Sequence, residues 1–255
     1  AGVPPDLRLG IFLTRRSHLK VLSPVFDAAL ARGHTVTAVI DIRAAKKGDT
    51  LRPDEVKRLW PSVTIAPHWA GVEALVGLST VLPDARTTRL VGVDHFYDQW
   101  VQPIRQSHLT MCWHSDYHRE VYEKLHGAHS HNATVGWLPA DQAPAPNVHR
   151  DLAVFFALKM DVPEPWRNSR AGRRAYHEYF IEAHDRAKRE GLKFVVKSRA
   201  KNKDPWWVRW VCDEYVLDEC MVPYTSLSLL ARAKWCVHFQ SGACFEAALM
   251  GAASY

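Results

Sequence analysis

A glycine turn followed by a glutamate, near the C-terminus, has the pattern of an anion-binding site. The apolar run KWCVHF at 234–239 is followed by Ser241 and Gly242 and then by a helical pattern whose first acidic residue is Glu246. A strand that turns directly into a helix presents backbone N–H groups and the positive end of the helix dipole at one point, which suits a diphosphate. Gly242 leaves room for close approach, and Glu246 could accept hydrogen bonds from ribose hydroxyls. An ordinary strand-to-helix turn fits the same spacing equally well.

A basic loop follows another predicted strand in the same half of the chain. The stretch KSRAKNK at 197–203 includes Lys197, Arg199 and Lys201. Ligands of parallel sheets bind at the carboxyl ends of the strands, where these cations would lie. A solvated basic loop is the alternative interpretation. Because the glycine turn also follows a strand, the two features together favour a nucleotide site.

Polar residues also follow strands in the first half of the chain, where they could act as a base towards a hydroxyl group. Asp94 and His95 follow RLVGV, His18 follows the first strand, and His114 or Asp116 follows LTMCW. A histidine or carboxylate is the usual base for such a proton transfer. We favour Asp94 with His95, although Asp94 could equally cap a helix.

Two further motifs have a structural and a functional interpretation. His114 and His118 are four residues apart on a predicted helix, but no third ligand stands at a recognisable spacing, so we predict no metal site. The segment DPWWVRW at 204–210 places tryptophans around a cation. It could stack on sugar rings or bases, or it could be a helix face packed on a core.

Composition limits the class of protein. The 255 residues are 47% hydrophobic and 24% charged, which is typical of a globular chain with one large or two ordinary domains, and the net charge of +6 favours anionic partners. Five cysteines without a CxxC pair are typical of a reduced intracellular protein. With no signal peptide and no apolar stretch of about 20 residues, we expect a cytoplasmic protein without a transmembrane segment.

The periodicity predicts alternating strands and helices. LRLGIFLT at 7–14, a helix at 24–34 that stops at Gly33, and VTAVID at 36–41 form a βαβ unit, which favours a parallel sheet. Further strands are predicted at 62–67, 73–79, 89–94, 109–113 and 133–138, with a helix at 115–127. In the second half we predict strands at 151–159, 192–199 and 234–239 and helices at 171–191, 226–233 and after Gly242.

Three prolines within residues 139–150 indicate a linker between two domains. The first half, residues 1–140, is then an N-terminal domain, and residues 151–255 form a C-terminal domain of similar α/β design. The resemblance described next implies that the first is the acceptor-side Rossmann-like domain and the second the nucleotide-sugar-binding domain.

The strand end Lys-Ser-Arg-x-Lys, the helix SLSLLARA and the Ser-Gly turn leading to EAALMG resemble the donor-binding half of GT-B glycosyltransferases and their relatives. LRLGIFLT…ARGHTVTAVID is similar to the first βαβ unit of that family. The resemblance implies an α/β, GT-B-like fold, in which two Rossmann-like domains face each other across a cleft that holds a nucleotide sugar. It also implies a further strand and helices after Tyr255, so we expect a truncated or compact C-terminal domain.

The resemblance also implies a role for each candidate. The diphosphate would meet Ser241 and Gly242, and Glu246 would hold the ribose. The three cations Lys197, Arg199 and Lys201 would screen the leaving nucleotide without a metal or other cofactor. On the acceptor side the matching loop holds Arg15, Arg16 and His18, which suggests an anionic acceptor.

We therefore predict a metal-independent glycosyltransferase that uses a nucleotide sugar, with a surface glycan or a hydroxymethylated pyrimidine in DNA as acceptor. A sugar-nucleotide epimerase or a polyol-phosphate transferase on the same scaffold is one alternative. A non-catalytic nucleic-acid-binding module is another, and its affinity would fall steeply with salt. A nicotinamide enzyme is disfavoured because LGIFLTRRSH lacks GxGxxG.

Overall fold

The computed structural model describes residues 7–41, 43, 49–85, 88–94, 104, 106, 108–158, 169–199, 204–218, 221–222, 224–239 and 242–255. Contacts divide the chain into two compact units, Ala1–Asp141 and Gln142–Tyr255. A short 3-10 helix, Leu138–Gln142, spans the division, which falls within the proline-rich stretch. Each unit has its own sheet and its own core.

The first unit is an α/β layer built on a parallel sheet. Its strands are β1 (Arg8–Leu13), β2 (Thr35–Ile40), β3 (Thr64–Ala66), β4 (Ala74–Leu78), β5 (Arg89–Val93), β6 (Thr110–Trp113) and β7 (Asn132–Thr134). They lie in the order β3-β2-β1-β4-β5-β6-β7. The helices are α1 (Arg16–Ala31), α2 (Pro53–Leu59) and α3 (Asp116–His126). Since every neighbouring pair is parallel, the carboxyl ends of all these strands lie at one edge.

The core of the first unit brings β5 and β6 close together. Leu90, Leu109 and Trp113 are buried, and Trp113 packs against Tyr122 of α3 with ring centroids 5.0 Å apart. Gly92 in β5 has no space for a side chain, because an added Cβ would lie 2.9 Å from Leu109. This packing fixes the ends of β5 and β6, where candidate residues follow.

The second unit repeats the design with a smaller parallel sheet. Its strands are β8 (Leu152–Phe156), β9 (Lys193–Arg199), β10 (Glu214–Asp218), β11 (Ala233–Val237) and β12 (Ala253–Ser254), in the order β10-β9-β8-β11-β12. The helices are α4 (Arg170–Arg189), α5 (Val208–Val211), α6 (Tyr224–Arg232) and α7 (Ala243–Met250). This is the strand order of a Rossmann-like half.

Aromatic side chains fill the core between α4 and the sheet of the second unit. Phe180 of α4 is fully buried and meets Phe155 and Phe194 at centroid distances of 5.0 and 5.3 Å. Trp207 approaches the same ring at 5.0 Å, nearly perpendicular to it. These edge-to-face contacts orient α4 and the residues around α5 relative to the sheet.

Arg150 connects the linker to both ends of the last strand-helix pair. Its guanidinium donates to the carbonyl of Ala233 at the start of β11 and to the carbonyl of Met250 at the end of α7, both at 2.7 Å. Gly251 then ends α7 in the left-handed conformation, with φ of 65°. A cation at a helix C-terminus also interacts favourably with the helix dipole.

The predicted α/β class with parallel sheets is confirmed, but some element bounds differ. Helix α1 begins at Arg16, eight residues before the predicted start, because buried Leu19 and Leu22 carry the helix through Pro24. Strand β7 ends at Thr134, since Gly136 has φ of 78° and leaves the extended conformation. Sequence periodicity missed α2, β10 and β12, whereas α5 lies in the DPWWVRW segment, for which a helix was one of two interpretations.

No helix within the described ranges is both long enough and apolar enough to cross a bilayer.

Replacing Phe180 with alanine tests the aromatic core. Because Phe180 is fully buried, we expect Phe180→Ala to lower the free energy of unfolding by about 3–5 kcal/mol, measured by urea denaturation. The matched control is Tyr179→Ala on the same helix, which is 58% exposed and should cost less than about 1 kcal/mol. Equal losses for the two variants would contradict this account of the core.

Candidate functional site

The start of α7 lies at the carboxyl edge of the second unit, where Gly242 is half-buried. Gly242 caps the helix with φ of −57° and ψ of −8°, and its carbonyl accepts from the N–H of Phe245 at 3.1 Å. A Cβ added at Gly242 would have no atom within 4 Å. Among the described residues, the space beside Gly242 on its Cβ side is therefore empty. Ser241, predicted to bind with Gly242, lies outside the described residues.

Glu246 lies one turn into α7 and is only 2% exposed. Its charge acts on the buried thiol of Cys236 in β11. Burial, with contributions from Cys244 and the Glu246 charge, raises the pKa of the Cys236 thiol to about 12. A carboxylate removed from water in this way is costly unless it has partners, and such groups are concentrated at functional sites.

Lys197 forms a buried ion pair with Asp218 across β9 and β10. The ammonium nitrogen lies 2.6 Å from the Asp218 carboxylate, and the two side chains are 5% and 3% exposed. The same nitrogen lies 5.5 Å from the ring centroid of Phe156. Lys197 thus points into the unit with its charge offset by Asp218, and its role in donor binding stays a prediction.

Arg199 ends β9 with an exposed side chain at the same carboxyl edge as the start of α7. Its neighbour Lys201 lies outside the described residues. Of the three predicted phosphate-screening cations, the structure therefore shows Arg199 reachable from solvent. Its assignment, and that of Lys201, stay predictions.

A groove of about 570 Å³ lies between α4 and β11. Its aromatic lining includes Tyr176, Trp235, Phe239 and Tyr255. Trp235 packs towards α4, whereas the next residue, Cys236, lies near Glu246, because side chains alternate across a strand. None of the four donor candidates that the structure describes (Lys197, Arg199, Gly242 and Glu246) lines this groove, so we do not assign the donor to it.

In the first unit, the carboxyl ends of β5 and β6 bring Asp94 and His114 together. The backbone N–H of Asp94 donates to the carbonyl of Cys112 at 2.9 Å, which fixes Asp94 directly beside the end of β6. The His114 Nε2 atom lies 4.0 Å from the Asp94 Oδ2 atom, with the side chains 6% and 2% exposed. His95, the predicted partner of Asp94, lies outside the described residues.

His118 completes this cluster from the first turn of α3. Its ring lies 5.8 Å from that of His114, and its Nδ1 atom is 2.7 Å from the hydroxyl of the helix cap, Ser115. Burial lowers the pKa of His118, with Asp94 opposing the shift and His114 adding to it. The described residues contain no group of three or more His, Cys, Asp or Glu arranged to hold a metal ion.

The end of β1 lies at the same edge, separated from β5 by β4. His18 is 1% exposed, and its Nδ1 atom lies 3.3 Å from the hydroxyl oxygen of Thr14. Arg16 forms an ion pair with the buried Glu55, and the Nε atom of Arg15 is buried without a hydrogen-bond partner among the described residues. Local contacts hold His18 and Arg16 in place, and the acceptor roles of all three residues stay predictions.

Two features of the site follow from strand neighbours that the sequence did not predict. Asp94 and His114 are separate candidates in the sequence, and only the pairing of β5 with β6 places them together. Asp218 was not a candidate because β10 was not predicted. A carboxylate partner for Lys197 could have been predicted from its chemistry, because a lysine in a buried strand position requires a nearby carboxylate.

Comparison with known proteins identifies the fold. No protein-family model and no curated protein matches the sequence. The structure of Arabidopsis thaliana UGT89C1 complexed with UDP-L-rhamnose matches over 97% of this chain and 78% of that chain, with a TM-score of 0.55 and 12% identity. The same protein complexed with UDP matches over 98% and 85%, with a TM-score of 0.50 and 11% identity. The predicted resemblance to the GT-B glycosyltransferase fold is therefore confirmed at the level of the fold.

Two ion pairs join β9 to β10 among the described residues, one buried (Lys197 with Asp218) and one exposed (Lys193 with Glu214). Comparing them tests the cost of leaving a buried charge without its partner. Asp218→Asn leaves the Lys197 ammonium buried without its counterion, so we expect a loss of about 3–5 kcal/mol in the free energy of unfolding. Lys193 and Glu214 pair at the same 2.6 Å but are 47% and 45% exposed. Glu214→Gln should therefore cost about 1 kcal/mol or less. Urea denaturation of both variants measures the difference, and similar losses would show that Lys197 does not depend on Asp218.

Proposed function

We propose that the protein is a glycosyltransferase that moves a sugar from a nucleotide-sugar donor to a hydroxyl group of an acceptor. The observation that carries the proposal is the buried Glu246 one turn into α7, a helix that begins at an open glycine on the carboxyl edge of a parallel sheet. This arrangement can serve a diphosphate and its adjoining ribose at once. The GT-B fold supports the assignment.

On the donor side, the diphosphate binds at the start of α7, at Ser241 and Gly242, and Glu246 accepts hydrogen bonds from the ribose. Arg199 and Lys201 stabilise the negative charge that develops on the diphosphate as the glycosidic bond breaks. Lys197 adds little positive potential there, because Asp218 offsets its charge. The structures of UGT89C1 contain UDP-L-rhamnose or UDP, so a uridine diphosphate sugar is the first donor to test.

On the acceptor side, Asp94 and His114 supply the base. His114 takes the proton of the acceptor hydroxyl, whose oxygen forms the new bond to the anomeric carbon of the sugar. The old bond to the diphosphate breaks and its electron pair leaves with the nucleotide. Asp94, 4.0 Å from the imidazole, stabilises the charge that His114 gains. His95 remains a candidate beside Asp94.

The acceptor is a surface glycan or a hydroxymethylated pyrimidine in DNA. Arg15 beside His18 favours an acceptor with negative charge, whereas Arg16 adds less positive potential because Glu55 offsets its charge. We also propose that transfer requires no metal, because the start of α7, Arg199 and Lys201 provide the positive charge that a leaving diphosphate needs. Activity that is unchanged by a chelator would support this part of the proposal.

Nucleotide binding is the first testable consequence. We expect UDP or a UDP-sugar to raise the melting temperature, with equal shifts in EDTA and in Mg²⁺, because a ligand at about 100 times its Kd adds about 2.7 kcal/mol of stability. Glu246→Gln should weaken binding by about tenfold, since one charge-assisted hydrogen bond contributes about 1.5 kcal/mol or more. Thermal-shift titration with UDP, GDP, CDP and TDP measures both effects.

The control for that experiment is Glu178→Gln in the second unit, where the glutamate is exposed and pairs with Arg174. It should bind the nucleotide as the wild type does. The donor assignment would be wrong if Glu246→Gln kept full affinity. A protein that no nucleotide stabilised, but DNA did, would point to the nucleic-acid-binding alternative.

The base is tested by turnover of the donor identified in the first experiment. We expect Asp94→Asn and His114→Gln each to reduce the release of nucleoside diphosphate by about 10²-fold or more, while the nucleotide-dependent thermal shift stays at the wild-type value. His126→Gln, on the same helix as His118, is the control and should keep full turnover. Full turnover in both Asp94→Asn and His114→Gln would place the base elsewhere.

A further inference from the structure

Trp206 and Trp210 form an exposed apolar patch on the second unit. Their side chains are 75% and 82% exposed, although an indole is among the largest apolar groups a protein contains. Trp206 stands in the turn that leads into α5, and Trp210 lies within α5. A separation of four residues in a helical turn places both on the same side. The two indoles therefore project together into solvent.

Core packing holds the tryptophans in this position. Trp207, between them in sequence, lies 5.0 Å from the Phe180 ring and 4.9 Å from the His177 ring, and Val208 is fully buried. Turning the segment to bury Trp206 and Trp210 would expose these core residues. The segment DPWWVRW thus packs one side on the core, as its helical interpretation predicts, and leaves the other side exposed. Its stacking on sugar rings or bases stays a prediction.

The patch carries a cation between the two indoles. Arg209 is exposed, and its guanidinium lies 4.6 Å from the ring centroid of Tyr215, which holds it at the surface. The nearby carboxylates are engaged elsewhere. Asp204 accepts a 2.7 Å hydrogen bond from the Tyr215 hydroxyl, and Asp213 is bound by the Lys188 ammonium at 2.6 Å. The Asp213 charge is thus offset by a cation and Asp204 is half-buried, so the exposed charge beside the two indoles is the Arg209 guanidinium.

We propose that Trp206, Arg209 and Trp210 form a docking surface for an anionic lipid bilayer. Tryptophan favours the boundary between headgroups and acyl chains, where its ring is buried and its N–H stays near water. A guanidinium beside it pairs with lipid phosphate or carboxylate groups. An apolar patch combined with positive charge is the arrangement that binds peripheral proteins to such surfaces.

The shape of the patch favours a bilayer over a stacked base or sugar ring. Recognition of a base or a sugar combines a ring with a groove and hydrogen-bonding groups around the ligand. Trp206 and Trp210 project from the outer side of a short helical segment, and neither indole lines the groove along α4. A planar lipid surface can take up two projecting indoles at once.

Vesicle sedimentation tests the proposal on the full chain. We expect binding to vesicles of phosphatidylcholine with about 30% phosphatidylserine, weaker binding to pure phosphatidylcholine, and a decrease with added salt. Trp206→Ser/Trp210→Ser should weaken binding to the anionic vesicles by at least about tenfold. Arg209→Gln should weaken it by about fivefold, mainly at low salt. Quenching of protein fluorescence by brominated lipid should be lost in the double tryptophan variant.

The matched control removes two other exposed aromatic side chains. Tyr117→Ser/Tyr179→Ser should bind vesicles as the wild type does, since these residues are 64% and 58% exposed at other places. Melting temperatures of all variants show that they fold. Unchanged vesicle binding by the double tryptophan variant would overturn the proposal, as would an equal loss in the tyrosine control. A variant that kept vesicle binding but lost affinity for a single-stranded oligonucleotide would assign the patch to nucleic acid instead.

Discussion

The parallel direction of the strands is the constraint on which both candidate sites depend. In each unit, every neighbouring pair of described strands runs the same way, so the residues that follow them meet at one edge. Side chains far apart in sequence then become neighbours without any special loop. Asp94 and His114 meet because β5 and β6 are adjacent, and the start of α7 shares its edge with the end of β9 for the same reason.

Both edges hold ionisable groups that are shielded from water. Glu246, Asp94 and the Lys197–Asp218 pair are nearly inaccessible, although a nonpolar residue would be less costly at each position. A fold that retains such groups gives up stability at these places. The pair of Lys193 and Glu214 on the same two strands is exposed, so solvent weakens its attraction. We expect its removal to change the free energy of unfolding much less than removal of the buried pair.

The sequence predicted the elements that have a strong local signal. Strands β1, β8 and β9 are runs of branched and aromatic apolar residues, and α3 begins at a serine cap and ends at Gly127. Strand β10 was missed because it lies at the sheet edge and its residues are mostly half-exposed, so they show no continuous apolar run. Periodicity identified the α/β class, and the pattern after Gly242 correctly predicted a helix there. Which side chains meet could not be predicted, because that depends on strand order and not on local pattern.

The contact between Arg150 and Met250 has a mechanical consequence. Helix α7 is a rigid rod of eight residues, about 12 Å long. The linker residue Arg150 holds one end of this rod, and the proposed phosphate site is at the other end. The same arginine also holds the carbonyl of Ala233, so one side chain ties the start of β11 to the end of α7 and limits how far this strand and helix can move apart.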